Sequence, residues 1–254
     1  MGVRGHYLND AAELQCFANS INGHIFRRLE AEDPQGPILR QFREWLTGRM
    51  SHGPMRFTAS FTENSNLLSQ WRGYCPPGKG VSIAFEPAAL PVAARQASFM
   101  MGRCIYDHER QMAVAGQVLD YIVDQATRSA PAKPAVPHQS HYGLFQDIEP
   151  AFLQIAVLMK NGAFQEEQEW RLVSPVHNNY VEPPILYREG AFSLVPYLQV
   201  ALPVNASGAL AIRRTIIGPS PNANLSLDAV SRYLSKKGVK PNEVVNSSIP
   251  YRQT

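Results

Sequence analysis

At 254 residues, 44% of them hydrophobic and 18% charged, the chain can bury a core of one large domain or two small ones. A net charge of +3 with scattered basic residues does not indicate nucleic acid as a partner. Three cysteines without a CxxC pair argue against a disulfide framework or a zinc ribbon, and no metal site is expected. The opening "MGVRGHYLND" lacks the apolar core of a signal peptide, and the longest apolar run, around "FLQIAVLM", is far short of the roughly 20 residues that cross a bilayer. A cytoplasmic protein with no membrane contact is expected.

Asp10 is placed to cap a helix over 11–30, in which Leu14, Phe17, Ile21 and Ile25 fall on one face. The break "DPQGP" separates it from a second helix, "ILRQFREWLTGRM". The period then changes: "RFTASFT" sets Phe57, Ala59 and Phe61 against Thr58, Ser60 and Thr62, the pattern of a half-buried strand. "GVSIAFE" and "SFMMGRCIYD" read as two more strands, followed by a helix over 109–128. Residues 129–143 form a proline-rich connection, after which "PAFLQIAVLMKN" predicts a helix with Pro150 in its first turn. The last third predicts the strands "EWRLV", "AFSLVPYLQVAL", "AIRRTIIG" and "EVVNSSIPYR", interrupted by a helix over 227–236 capped by Ser226. Strands and helices do not alternate regularly. The expected fold is α+β, a single domain over 1–254 with a mixed, mostly antiparallel sheet flanked by helices.

Two stretches carry candidate chemistry. "SNLLSQWRGY" reads as a short helix capped by Ser65 or Asn66, with Leu67, Leu68 and Trp71 inward and Gly73 ending it in the left-handed conformation. That leaves Gln70, Arg72 and Tyr74 facing other directions. Arginine's fork of donors suits phosphate or carboxylate, and aromatic rings stack planar groups. Gln70, Trp71, Arg72 and Tyr74 are therefore candidate ligand-binding residues, with Arg72 expected at the mouth of a cleft. "GYCPPGK" only superficially matches a phosphate loop: Gly80 replaces the Ser or Thr that binds magnesium, and a strand follows instead of a helix. A flexible loop is expected there.

In "FQEEQEWRLV", a strand over 167–173 would put Glu167, Glu169 and Arg171 on one face and Gln168, Trp170 and Leu172 on the other. Carboxylates two residues apart raise one another's pKa, with the arginine partly offsetting this. The group suits stabilisation of a cationic transition state or deprotonation of a nucleophile. A solvated Glu/Arg stripe over a Trp170–Leu172 core is the plainer alternative. The histidines show no catalytic order and no metal-ligand spacing.

In order, "LLSQWRGY", "GKGVSIAF", "FQEEQEWRLV", "VPYLQV", "IIGPSPN" and "SSIPYR" resemble a bacterial family filed as domain of unknown function 2971, over most of the chain. That family opens with a strand carrying His-Tyr-Thr ahead of an Asn-Asp segment. Here His6-Tyr7 runs directly into Leu8-Asn9-Asp10, so the first family strand is expected to be missing. A second resemblance is to the ADP-ribosyltransferase core, in which an early strand carries Arg or His, a middle strand Ser-x-Ser and a late strand Glu-x-Glu. It implies a split sheet, NAD as substrate and Ser60 as the middle-strand residue. It also implies Glu169 as the catalytic acid holding the nicotinamide ribose, with Glu167 orienting the attacking group. Trp71 and Tyr74 would then pack the nicotinamide, and Arg72 would pair the pyrophosphate. Arg171 completes the expected ligand-binding set.

Two functional readings follow. One is a nucleotide-dependent transferase of ADP-ribosyl type acting on a nicotinamide dinucleotide, its macromolecular acceptor unspecified. The other is a non-catalytic ligand- or partner-binding regulatory module, in stress or phage defence. The first expects Ser60, Arg72 and Glu169 to converge, and Glu169→Gln to abolish activity while leaving the fold intact.

Overall fold

The computed structural model describes residues 2–7, 11–51, 56–129, 139–177, 185–190, 193–202, 204, 208 and 210–251. The chain runs β1 (Gly2–Tyr7), α1 (Ala11–Glu30), α2 (Gly36–Ser51), β2 (Phe57–Thr62), α3 (Leu68–Tyr74), β3 (Val81–Phe85), α4 (Ala89–Gln96) and β4 (Met100–Arg103). It continues through α5 (His108–Arg128), α6 (Tyr142–Ala156), β5 (Glu169–Val173), β6 (Leu186–Glu189), β7 (Leu194–Ala201), β8 (Ile212–Ile217), α7 (Ala223–Lys236) and β9 (Glu243–Asn246). A 3-10 stretch, Gly162–Glu167, leads into β5.

Four helices, α1, α2, α5 and α6, make one apolar core. The predicted α1 stripe is its centre: Phe17, Ile21 and Ile25 are buried against Phe42, Leu119, Ile122, Phe145 and Phe152, and Leu14 packs at the edge. Phe42 and Phe145 meet edge to face at 5.2 Å between ring centroids, the offset geometry that aromatic quadrupoles favour.

Two sheets complete the α+β fold. The larger has strand order β4-β5-β2-β1-β7-β6 with every pairing antiparallel. The smaller has order β3-β8-β9, antiparallel then parallel. The expected absence of a first strand is corrected here. β1 lies inside the large sheet, with His6 opposite Thr58 of β2 on one side and Tyr197 of β7 on the other. "GVRGHY" has no apolar alternation, so its strand state comes from the two neighbours that pair with it.

Other boundaries move for physical reasons. α6 begins eight residues before Pro150, which sits inside the helix rather than in its first turn. Burial of Phe145, Phe152 and Leu153 on both sides of the proline outweighs its missing donor. α7 begins at Ala223 behind Asn222, one turn earlier than a Ser226 cap would allow. The third predicted strand shortens to Met100–Arg103, Ser98 before it being left-handed at φ 57°. The Asp10 cap and most of the proline-rich connection lie outside the described residues.

The "SQWRGY" helix is α3, and it forms a joint with the small sheet. Leu67 occupies its N-cap position without a side-chain cap. Asn66 serves differently: its Oδ1 accepts from Trp71 Nε1 at 2.9 Å and from Ser247 Oγ at 2.7 Å. Trp71 is 9% exposed and Leu68 faces outward. A Cβ built on Gly218 would lie 3.0 Å from the indole, and one on Gly80 would lie 3.3 Å from it, so both glycines leave room for the ring against β3 and β8. Gly73 stays within the helix; the left-handed residue is Gly78, at φ 71°. The loop there is packed, with Pro221 and Tyr251 3.2–3.3 Å from where a Gly78 Cβ would stand.

Trp71→Ala should cost about 3–5 kcal/mol of stability, read from denaturant midpoints, because it empties a buried site and removes one of the two donors to Asn66 Oδ1. An unchanged midpoint would contradict this packing.

Candidate functional site

The geometry begins with β2 and β5, paired so that Ser60 stands opposite Arg171 and Thr62 opposite Glu169. Directly opposed residues share a face, so these four lie together, and Ala59, Phe61, Trp170 and Leu172 lie on the other. Ser60 is exposed although its strand is central in the sheet, while Glu169 beside it is 4% exposed. The Ser60 hydroxyl donates to Glu169 Oε1.

Arg171 holds the same carboxylate through a fork, Nε to Oε1 at 2.9 Å and Nη2 to Oε2 at 3.3 Å. Its Nη1 donates to the Val157 carbonyl at 2.5 Å, just beyond α6. The second carboxylate oxygen also accepts from Lys160 Nζ, which pairs with Glu167 as well. Lys160 was not foreseen as part of the group. It follows the apolar run of α6 and reaches back across the Asn161–Gly162 turn. The bridge between Ile105 and Met159 and the Gln111 amide, which donates to the Ile105 and Lys160 carbonyls at 2.6 and 2.8 Å, fix its backbone. A lysine seven residues before a Glu-x-Glu pair, across an Asn-Gly turn, was the available signal.

Glu167 is not on the strand. It ends the 3-10 stretch, and Gln168 then turns through a left-handed conformation at φ 42°. Thr62 Oγ1 donates to the Glu167 carbonyl at 2.6 Å, and Glu63 N–H to that of Gln168 at 3.3 Å, so β2 braces this turn. Lys160, rather than strand alternation, thus brings Glu167 to Glu169.

The charges settle accordingly. Burial pushes the Glu169 pKa up, but Arg171, then Lys160 and Ser60, outweigh it and hold the carboxyl below its ordinary 4.5. This corrects the expectation that the paired carboxylates would raise it. Lys160 is pulled down by burial and, more strongly, up by Glu167 and Glu169, and ends above its ordinary 10.5. Glu169 is therefore a held anion, not a carboxyl poised to exchange protons near neutrality.

Aromatic rings surround the lysine side of the cluster. Lys160 lies over the half-exposed Phe164 ring at 5.3 Å. Tyr106 OH accepts from the Glu169 amide at 2.8 Å. Tyr74 is 70% exposed; desolvation of its hydroxyl end and the nearby charge of Glu167 raise its pKa. The remaining sequence candidates make no hydrogen bond or ion pair with this cluster among the described residues. Trp71 is turned into the α3 joint; Gln70 and Arg72, half-buried and exposed, have no hydrogen-bond or ion-pair partner among the described residues. Another buried cation, Arg56, precedes β2: burial lowers its pKa to about 10 against the charge of Glu149, which Arg49 already holds at 2.7 and 2.6 Å.

Residues 70–172 match the model of a family described as a protein of unknown function, DUF2971. The matched stretch is shorter than the motif resemblance implied. It runs from α3 to β5 and includes Tyr74, Lys160, Glu167, Glu169 and Arg171, but not Ser60 or β1. No curated protein and no solved structure matches the chain. No described helix is long and apolar enough to cross a membrane.

The charge network has a pH signature. Glu169 has a depressed folded-state pKa, so its contribution is complete above the unfolded value of 4.5 and is lost as pH falls through the folded one. Lys160, raised above 10.5, contributes fully below that value and loses its contribution as pH rises through its folded pKa. Glu169→Gln should cost about 3–5 kcal/mol at pH 7, because Arg171 loses a buried partner, and should flatten the acid-side fall in stability. Urea denaturation across pH measures both. A mutant with the wild-type acid slope would show that this carboxylate is not the group held ionised.

Proposed function

We propose that the protein is a cytoplasmic transferase of ADP-ribosyl type that uses NAD as its substrate. The observation that carries this reading is the exposed Ser60 on a central strand, donating to a buried, ionised Glu169 on the next strand. β2 with Ser60 and β5 with Glu169 are neighbours in the sheet, and β1 borders β2 on its other side. In the proposed step the nicotinamide–ribose bond breaks and its electron pair leaves with nicotinamide. The fixed negative charge of Glu169 stabilises the oxocarbenium-like ribose, which the acceptor's nucleophile then attacks, losing its proton. Glu167 orients that nucleophile once Lys160 releases it, and Tyr74 borders the nicotinamide.

A second reading, the non-catalytic binding module, draws on one specific observation. Both oxygens of Glu169 are already engaged, by Ser60, Arg171 and Lys160. A carboxylate so fully satisfied also suits a structural tie beside a binding surface.

Nicotinamide release from NAD separates the two. Ser60→Ala removes one hydrogen bond from an exposed hydroxyl and should lower stability by only about 0.5–1.5 kcal/mol, while turnover falls about 100-fold. Turnover equal to wild type in Ser60→Ala would sink the catalytic assignment. No turnover in either protein, with Tm raised by NAD, would favour the binding module; no turnover and no Tm shift would remove NAD from both readings.

A further inference from the structure

The opposite face of the large sheet carries a separate cavity of about 700 Å3, within the range of about 300–1,000 Å3 that suits small-molecule sites. Its walls are mainly apolar, from Phe99 after α4, Leu186 on β6, and Leu198 and Val200 on β7. Val200 packs in one cluster with Ala59 and Leu172, and Leu198 packs with Phe57, so the cavity lies behind the Ser60–Arg171 face. Among the described lining residues two are polar, His177 and the exposed Gln199. The His177 ring sits 5.8 Å from that of Phe57, and its Nε2 is buried with no hydrogen-bond partner among the described residues.

An unpaired buried ring nitrogen costs about 1–3 kcal/mol, and native proteins rarely leave one without a use. We propose that this cavity binds an uncharged, largely apolar small molecule whose single hydroxyl or carbonyl hydrogen-bonds to His177 Nε2. Among the described residues no charged side chain lines the cavity, which argues against a carboxylate or phosphate ligand. Burial also holds the His177 pKa below its ordinary 6.5, so the imidazole is neutral at physiological pH and able to offer either tautomer. The site is independent of the proposed transfer chemistry and takes a different chemical class.

The test uses the full chain and the neutral fluorophore N-phenyl-1-naphthylamine at pH 8. Saturable, blue-shifted fluorescence is expected, displaced by 1-decanol and not by decanoate. Ala97→Trp, at a half-buried lining position that packs against the Val200 cluster, should weaken the fluorophore at least about tenfold by filling the cavity. His177→Leu should keep fluorophore binding and weaken displacement by 1-decanol about fivefold, the loss of one hydrogen bond. Fluorescence that does not saturate, or that Ala97→Trp leaves unchanged in a protein of native circular dichroism, would overturn the site. Displacement by decanoate as readily as by decanol would overturn the ligand class, and unchanged decanol displacement in His177→Leu would overturn the role of Nε2.

Discussion

The ion group of Glu169, Arg171 and Lys160 is the constraint on which the two layers of the protein depend. Arg171 reaches from the sheet to the Val157 carbonyl, and Lys160 reaches from the chain after α6 back to the sheet carboxylate. Helical bundle and sheet are thereby fixed at one separation. Gly102 serves the same junction: a Cβ there would come within 2.7 Å of Leu158, so the bare backbone of β4 lets the end of α6 press close. A buried ion group of this kind is no guarantee of net stability, since apolar residues of equal volume often do as well. Its distinctive contribution is directional. It fixes which carboxylate oxygens face which donors, which apolar packing alone would leave undetermined.

That arrangement also explains why Ser60 matters. A serine on a central strand would ordinarily lie under a packed layer, yet here it is exposed beside a carboxylate that is not. The charged partners of Glu169 come from its own strand and from the chain after α6, while the serine stays exposed. On the reverse face the same strands carry Ala59 and Leu172 into an apolar cluster. Strict alternation along β2 and β5 thus gives one sheet two chemically unlike surfaces.

Much of this was legible in the sequence where periodicity was strong. The α1 stripe and the alternations of "FTASFT" and "EWRLV" each gather apolar residues on one face, so their residue patterns carry their structure. Glu169 and Arg171 were legible on one face for that reason. Lys160 was not, because its approach depends on a 3-10 turn and a left-handed Gln168, which no periodic pattern encodes. β1 and the helical Pro150 were misread for a shared reason: tertiary neighbours override a weak local preference. The tryptophan of "SQWRGY" drew attention as a ligand group through its composition. Helical spacing turned that side chain inward, but its packing against Gly218 is a contact between segments distant in sequence, beyond the reach of local spacing.

The position of β1 has a consequence for how the chain is made. Its residues pair with Phe57 and Thr58 on one side and with the stretch up to Ala201 on the other. The core of α1, α2, α5 and α6 is complete by Met159, long before β7 leaves a ribosome. During synthesis the helical layer therefore has all its partners while β1 still has an unpaired edge. The nascent chain must carry that open strand, with its free amides and carbonyls, until the final third arrives to cover it.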